Sequence, residues 1–256
     1  MSKWPALERS LSGIFTPLTD DTFRFECHPG IDCFNRCCAG LRLILTPYDI
    51  LRLKNRLRLS SGEFLERHTD IDEENPSRFP MVKLRMTRDE SRSCPFVTRQ
   101  GCAVYEDRPG ACRLYPLGRA SARTPGEERL KEKFFLVREP HCMGFQEEKT
   151  WTVSQWLNHE GMPDYNRMND DWTRIIHSPQ SLGSQDNQKK IQMFFMVSYN
   201  LDAFRKFLFQ SRFFDHFRVE AELQERLAES DTELMKFGFK WLRFSLFGEP
   251  TLRIQS

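Results

Sequence analysis

No apolar run in this chain approaches the roughly 18 residues that a membrane-crossing helix needs, since even IQMFFMVSYNL at 191–201 is short and interrupted. No membrane span is therefore expected. Charge of neither sign prevails either: 38 Lys and Arg face 36 Asp and Glu, a net of +2, so no global field recommends a nucleic-acid partner. The opening MSKWPALERSLSGIF lacks the apolar stretch and small-residue cleavage site of a secretory leader, and the expectation is a reducing cytoplasm. The chain also lacks a glycine-rich strand-turn-helix loop for nucleotides, an H-E-x-x-H helix, a C-x3-C-x2-C triplet, a Ser-His-Asp order and any internal repeat. Common hydrolase, metalloprotease and radical chemistries have no foothold.

What is present is cysteine, and it is grouped. Cys27, Cys33, Cys37 and Cys38 read C-x5-C-x3-C-C, and Cys94, Cys102, Cys112 and Cys142 follow after a long gap. Thiolates are soft ligands that select zinc, cuprous copper or iron–sulfur clusters, and such sites usually take four of them. A disulfide framework suits small secreted domains, whereas 256 residues suffice for a sizeable core. Neighbours such as Cys37 and Cys38 also pair poorly with each other. Neither group contains the C-x2-C knuckles of a zinc ribbon or finger, so tertiary structure must gather the ligands.

Local signals place the groups. Thr46, Pro47 and Asp49 begin a helix just after the first group, and Ser60 with Glu63 has the capping-box spacing for a second. Residues 70–79 read as an exposed acidic loop and MVKLRM at 81–86 as a strand. The basic stretch LRLKNRLRL at 51–59 reads as a solvated helix face. Residues 94–118 are dense in turns, with Pro109 opening a short helix that carries Cys112. Residues 118–130 read as a surface loop, FFLV at 134–137 as a short buried strand, and Thr152 with Gln155 as a further capping box. Residues 178–188 form the best linker. Beyond it, Phe204, Phe207, Leu208 and Phe214, then Leu234, Phe237, Trp241 and Leu242, recur at helical spacing. Phenylalanine is abundant, with 22 copies, and this C-terminal share of it must pack into a core or against a protein partner.

Cys33, Cys37 and Cys38, LTPYDILRL at 45–53, CPF at 94–96 and above all GCAVYEDRPGACRLYPLG at 101–118 resemble the YkgJ-type cysteine-cluster family, the CxxCxxCC proteins. The likeness extends through HCMG, TVSQWL and the C-terminal Phe-rich helices, about residues 25–250. The family's first motif has intervals of two and two; here they are five and three. The resemblance implies a zinc- or iron-chelating domain, earlier regarded as an iron–sulfur oxidoreductase. The family is also similar to flagellin lysine methylases, whose activity is not carried over to this chain.

The expectation is a helix-rich α+β protein. Residues 20–150 form a loop-rich metal domain, and residues 151–256 form a helical region covering it. The metal ligands come from Cys27, Cys33, Cys37, Cys38, Cys94, Cys102, Cys112 and Cys142, and the cofactor is an iron–sulfur cluster or zinc. His28 and His141 are alternative ligands or neighbours, while Arg36, Arg108 and Arg113 either offset thiolate charge or form surface ion pairs. Tyr105 and Tyr115 read as packing residues with hydrogen-bonded hydroxyls. The function expected is metal binding, in a redox or modifying enzyme of unknown substrate. The alternative is a non-enzymatic zinc protein whose helices bind a partner.

Overall fold

The computed structural model describes residues 13–18, 20–123, 130–183 and 187–255. They contain ten α-helices and twelve short strands, a helix-rich α+β chain that forms two compact units. The first unit takes the described residues up to Leu41, Met86–Tyr105 and Gly110–Pro163. The second takes Arg42–Arg85, Glu106–Pro109 and the described residues from Asp164 onward. All eight cysteines lie in the first.

In the first unit, strand Leu130–Val137 is the middle of an antiparallel sheet, with Phe15–Pro17 on one side and Leu117–Arg123 on the other. The surface loop expected at 118–130 is thus largely strand, with 124–129 outside the described residues. Its small and polar residues carry little strand signal, and pairing with the more apolar partner decides the outcome. Gly118 is required there, because a Cβ would sit 2.1 Å from the Phe135 ring. The strand read at 134–137 is accordingly longer, and of that segment Leu136 is the residue in the core. Phe23, Phe25, Leu117, Leu136 and Trp156 form this core, with Phe25 edge-on to Trp156 at 5.6 Å and to Tyr115 at 5.7 Å. The expected capping box of Thr152 and Gln155 starts helix Val153–His159.

The second unit begins with strand Ile44–Leu45 and helix Pro47–Leu57, whose cap Thr46 exchanges hydrogen bonds with Asp49. Helix Ser61–His68 starts on the Ser60–Glu63 box. Strand Val82–Leu84 pairs with Ile44–Leu45 on one side and Thr69–Ile71 on the other. Helices Asn187–Tyr199, Leu201–Gln210 and Asp231–Phe247 supply the helical core, with Phe194, Phe204, Leu208, Leu234 and Leu242 fully buried. Phe79 stacks on Phe194 at 4.2 Å between ring centres, and the Tyr199 hydroxyl donates to the Pro80 carbonyl at 3.3 Å.

Two readings of charge are corrected here. The stretch 70–79 is not wholly exposed: Asp72 is buried and accepts from Arg42 at 2.7 and 3.0 Å, with Lys83 at 3.7 Å, and Phe79 is buried too. A carboxylate leaves water when it has such partners. Nor is the basic stretch uniformly solvated, since Lys54 is buried with its ammonium 2.6 Å from Asp231, which also receives Arg205 at 2.6 Å.

Burial would raise the Asp231 carboxyl, but hydrogen bonds from Lys54 and Arg205 outweigh it and hold the group below the usual carboxylate range. A depressed folded-state value stabilises the fold above the unfolded value and loses that contribution as pH falls through the folded one. Melting temperature is therefore expected to fall below about pH 4, and Asp231→Asn should reduce that dependence. The same substitution leaves Lys54 buried beside a neutral amide and is expected to destabilise by about 3 kcal/mol. Thermal unfolding of both proteins across the acid range checks both statements.

Candidate metal centre

The first cysteine group lies in a chain of tight turns. Arg36 N donates to the Cys33 carbonyl at 2.9 Å and Cys38 N to the Asn35 carbonyl at 3.0 Å, so Arg36–Cys38 form a single 3-10 turn. Asn35 has a left-handed backbone (φ 68°), and its side-chain amide donates to the Thr98 carbonyl at 3.0 Å. That bond ties the turn to hairpin Val97–Cys102. Cys94 N donates to the Cys38 carbonyl at 2.7 Å, and an Ala39–Ser93 bridge continues the join. The adjacent pair of the first group is thereby fixed beside the first cysteine of the second.

Cys102 ends the hairpin opposite Val97, and Cys112 rides on the short helix Gly110–Leu114. Arg113, next to it, is buried and donates to the Glu160 carbonyl at 2.9 Å. Its work is to hold this helix in place. Cys142 follows a turn in which its own amide donates to the Glu139 carbonyl at 2.9 Å. Gly144 comes next, and a Cβ there would meet the Glu26 carbonyl at 2.6 Å and the Phe25 ring at 2.7 Å. Gly144→Ala is expected to cost about 1–3 kcal/mol through overpacking. Melting curves of the variant beside the wild type check this.

Seven of the eight sulfurs are electrostatic neighbours. The Cys38 thiol donates to Cys37, and this bond holds Cys37 below the ordinary thiol value. The same bond, burial, and the charges of Cys37, Cys94 and Cys112 push Cys38 far up. Burial raises Cys94, opposed by the amides of Phe96 and Val97 that face its sulfur, with Cys102 adding a rise. Burial raises Cys142 as well; the Tyr115 hydroxyl and the Gly144 amide oppose it, and Cys33 and Cys37 add to it. Cys33 is buried and accepts the Met143 amide at 3.2 Å. Cys27 is the exposed member of the set, and no disulfide joins any of the eight.

These surroundings fit a metal. Backbone amides aimed at Cys94 and Cys142 favour the thiolate form that a metal requires. Adjoining thiols become costly once they ionise, unless a cation offsets the charge. Among the described residues no three His, Cys, Asp or Glu side chains converge within reach of a single ion. The arrangement is one of adjoining thiols rather than a closed coordination shell.

The other polar candidates fall into place around it. His28 accepts the Gly30 amide at 3.1 Å on one ring nitrogen and lies 3.6 Å from Glu147 on the other, so both nitrogens have partners. His141 pairs with Glu139 at 3.3 Å. Tyr105 is exposed. Tyr115 packs on Phe25 as expected, and its buried hydroxyl faces the Cys142 thiol; burial first, then that contact, raises it well above the usual phenol range. Glu139 was not a sequence candidate, although its place three residues before Cys142 in EPHC was a usable signal.

Compared with curated proteins and with solved structures, the chain shows no match. A family model does match: residues 26–143, the span that contains all eight cysteines, fit CxxCxxCC, described as a "putative zinc- or iron-chelating domain". Residues 26–143, a little under half of the chain, thus match a CxxCxxCC domain.

Proposed function

We propose that this chain is an iron–sulfur protein whose cluster is carried by Cys38, Cys94, Cys102 and Cys112. The observation that carries the reading is the surroundings of Cys38, whose sulfur has Cys37, Cys94 and Cys112 as neighbours while Cys94 in turn has Cys102. An all-thiolate ligand set is the usual requirement of iron–sulfur clusters, and the Cys94-Pro95 dipeptide resembles ferredoxin-type ligation. Eight cysteines that form no disulfide suit a reducing compartment, the cytoplasm. A redox or modifying role follows from the cluster; its substrate is left unassigned.

Purification without oxygen tests the reading. A brown protein bleached by dithionite, with iron and acid-labile sulfide in similar amounts, is the expected result. A colourless protein carrying zinc and no sulfide would replace it with a structural zinc site, which four thiolates also satisfy.

A further inference from the structure

Cys112 rides on a helix that cannot hold itself. Gly110–Leu114 has five residues, far below the roughly 12–15 at which a helix begins to persist in water. Its last turn closes with the Tyr115 amide on the Ala111 carbonyl at 3.2 Å. Carbonyls at a helix C-terminus need partners from elsewhere, and so the placement of this helix, and of the thiol on it, is decided by other parts of the chain.

Helix Val153–His159 takes hold of it at two points. The Trp156 indole Nε1 donates to the Leu114 carbonyl at 3.0 Å. In the reverse direction the Arg113 guanidinium donates to the carbonyl of Glu160, the C-terminal cap of the longer helix, at 2.9 Å. One such bond would leave the short helix free to swivel, and two restrict it. Both donors are themselves buried. The Trp156 ring meets Trp151 edge-on at 5.3 Å, Phe25 at 5.6 Å and Phe23 at 5.9 Å, which fixes the direction of its N–H. The longer helix is anchored in turn by its capping box and by strand Thr150–Thr152, which pairs with Thr22–Arg24.

We propose that Trp156 and Arg113 are positioning residues for Cys112, so that helix Val153–His159, which lies past the end of the matched span at residue 143, sets where that thiol stands. The proposal rests on the iron–sulfur reading for what Cys112 holds, and on the two hydrogen bonds for where it is held. Groups that orient a ligand from behind govern how firmly it stays in place. Trp156 does so through the Leu114 carbonyl, and Arg113 does so from the position next to the thiol.

The test is alkylation of the full-length protein, as purified and well below its melting temperature, with iodoacetamide, the rate at each cysteine being read by mass spectrometry. Trp156→Phe keeps an aromatic ring in the core and removes the indole N–H. It should speed alkylation of Cys112 at least about fivefold and that of Cys94 less than about twofold, as one lost hydrogen bond favours local opening of its own helix. Trp151→Phe is the matched control, because its indole donates to the Phe25 carbonyl at 2.9 Å, and it should leave Cys112 unchanged. Arg113→Gln alters the charge beside the thiol and is therefore read by deuterium exchange of residues 110–116, which should also quicken about fivefold; it keeps the test decisive if Trp156→Phe folds poorly. An unchanged Cys112 rate in Trp156→Phe, equal acceleration of Cys94 and Cys112, or the same acceleration in Trp151→Phe overturns the proposal and leaves Trp156 as a packing residue. Elemental analysis of the same wild-type sample separates the two readings: a protein without iron removes the cluster, while the Cys112 rates still decide the positioning.

Discussion

Deletion of residues 190–256 is expected to leave an insoluble remnant. The deleted helices cover Phe79, which stacks on Phe194, and they hold Lys54 through Asp231. Leu45, Leu53 and Phe64 are fully buried in the same unit. Burying a large apolar side chain contributes about 1.5–3 kcal/mol, so uncovering these four removes an amount comparable to the whole stability of an ordinary domain, about 5–15 kcal/mol. Lys54 would add a buried ammonium without its carboxylate. The remnant should sediment or elute as a large aggregate. A soluble monomeric truncation that melts like the intact protein would show that residues 42–85 fold without the helices.

Substituting Cys38 or Cys112 by Ser is the second large effect. Each removes a sulfur from the group around Cys38, and metal binding in small thiolate sites contributes roughly 10–16 kcal/mol of apparent folding free energy. Iron or zinc content is expected to fall at least tenfold, with a lower melting temperature for the first unit. His216→Ala, at an exposed position, should leave both unchanged. Retention of full metal content by both cysteine variants would reduce these residues to ordinary packing thiols.

The elements that the sequence predicts correctly are those with short-range causes. Capping at Thr46, Ser60 and Thr152 depends on residues three apart, and the buried faces around Phe204 and Leu234 depend on helical period. What escaped depends on partners distant in the chain. The strand at Leu117–Arg123 exists because Leu130–Val137 lies beside it, and Lys54 is buried because Asp231, far along the chain, arrives opposite it. The candidate site divides in the same way. Eight cysteines and a family motif announced thiolate chemistry, but no spacing rule could show that Cys37 and Cys38 have different neighbours.

The cysteine-bearing unit is assembled from stretches that the chain interrupts with Arg42–Arg85. The bond from Cys94 N to the Cys38 carbonyl therefore closes a long loop, and Cys142 arrives later still during synthesis. Closing such a loop costs entropy that grows only slowly with its length, but the order of events is fixed by the ribosome. The first four thiols emerge well before their partners, at a stage when stray metal or an oxidant meets them without competition. Once Arg42–Arg85 is folded, the two halves are held closer together, which lowers the remaining entropy cost of bringing Cys94 to Cys38.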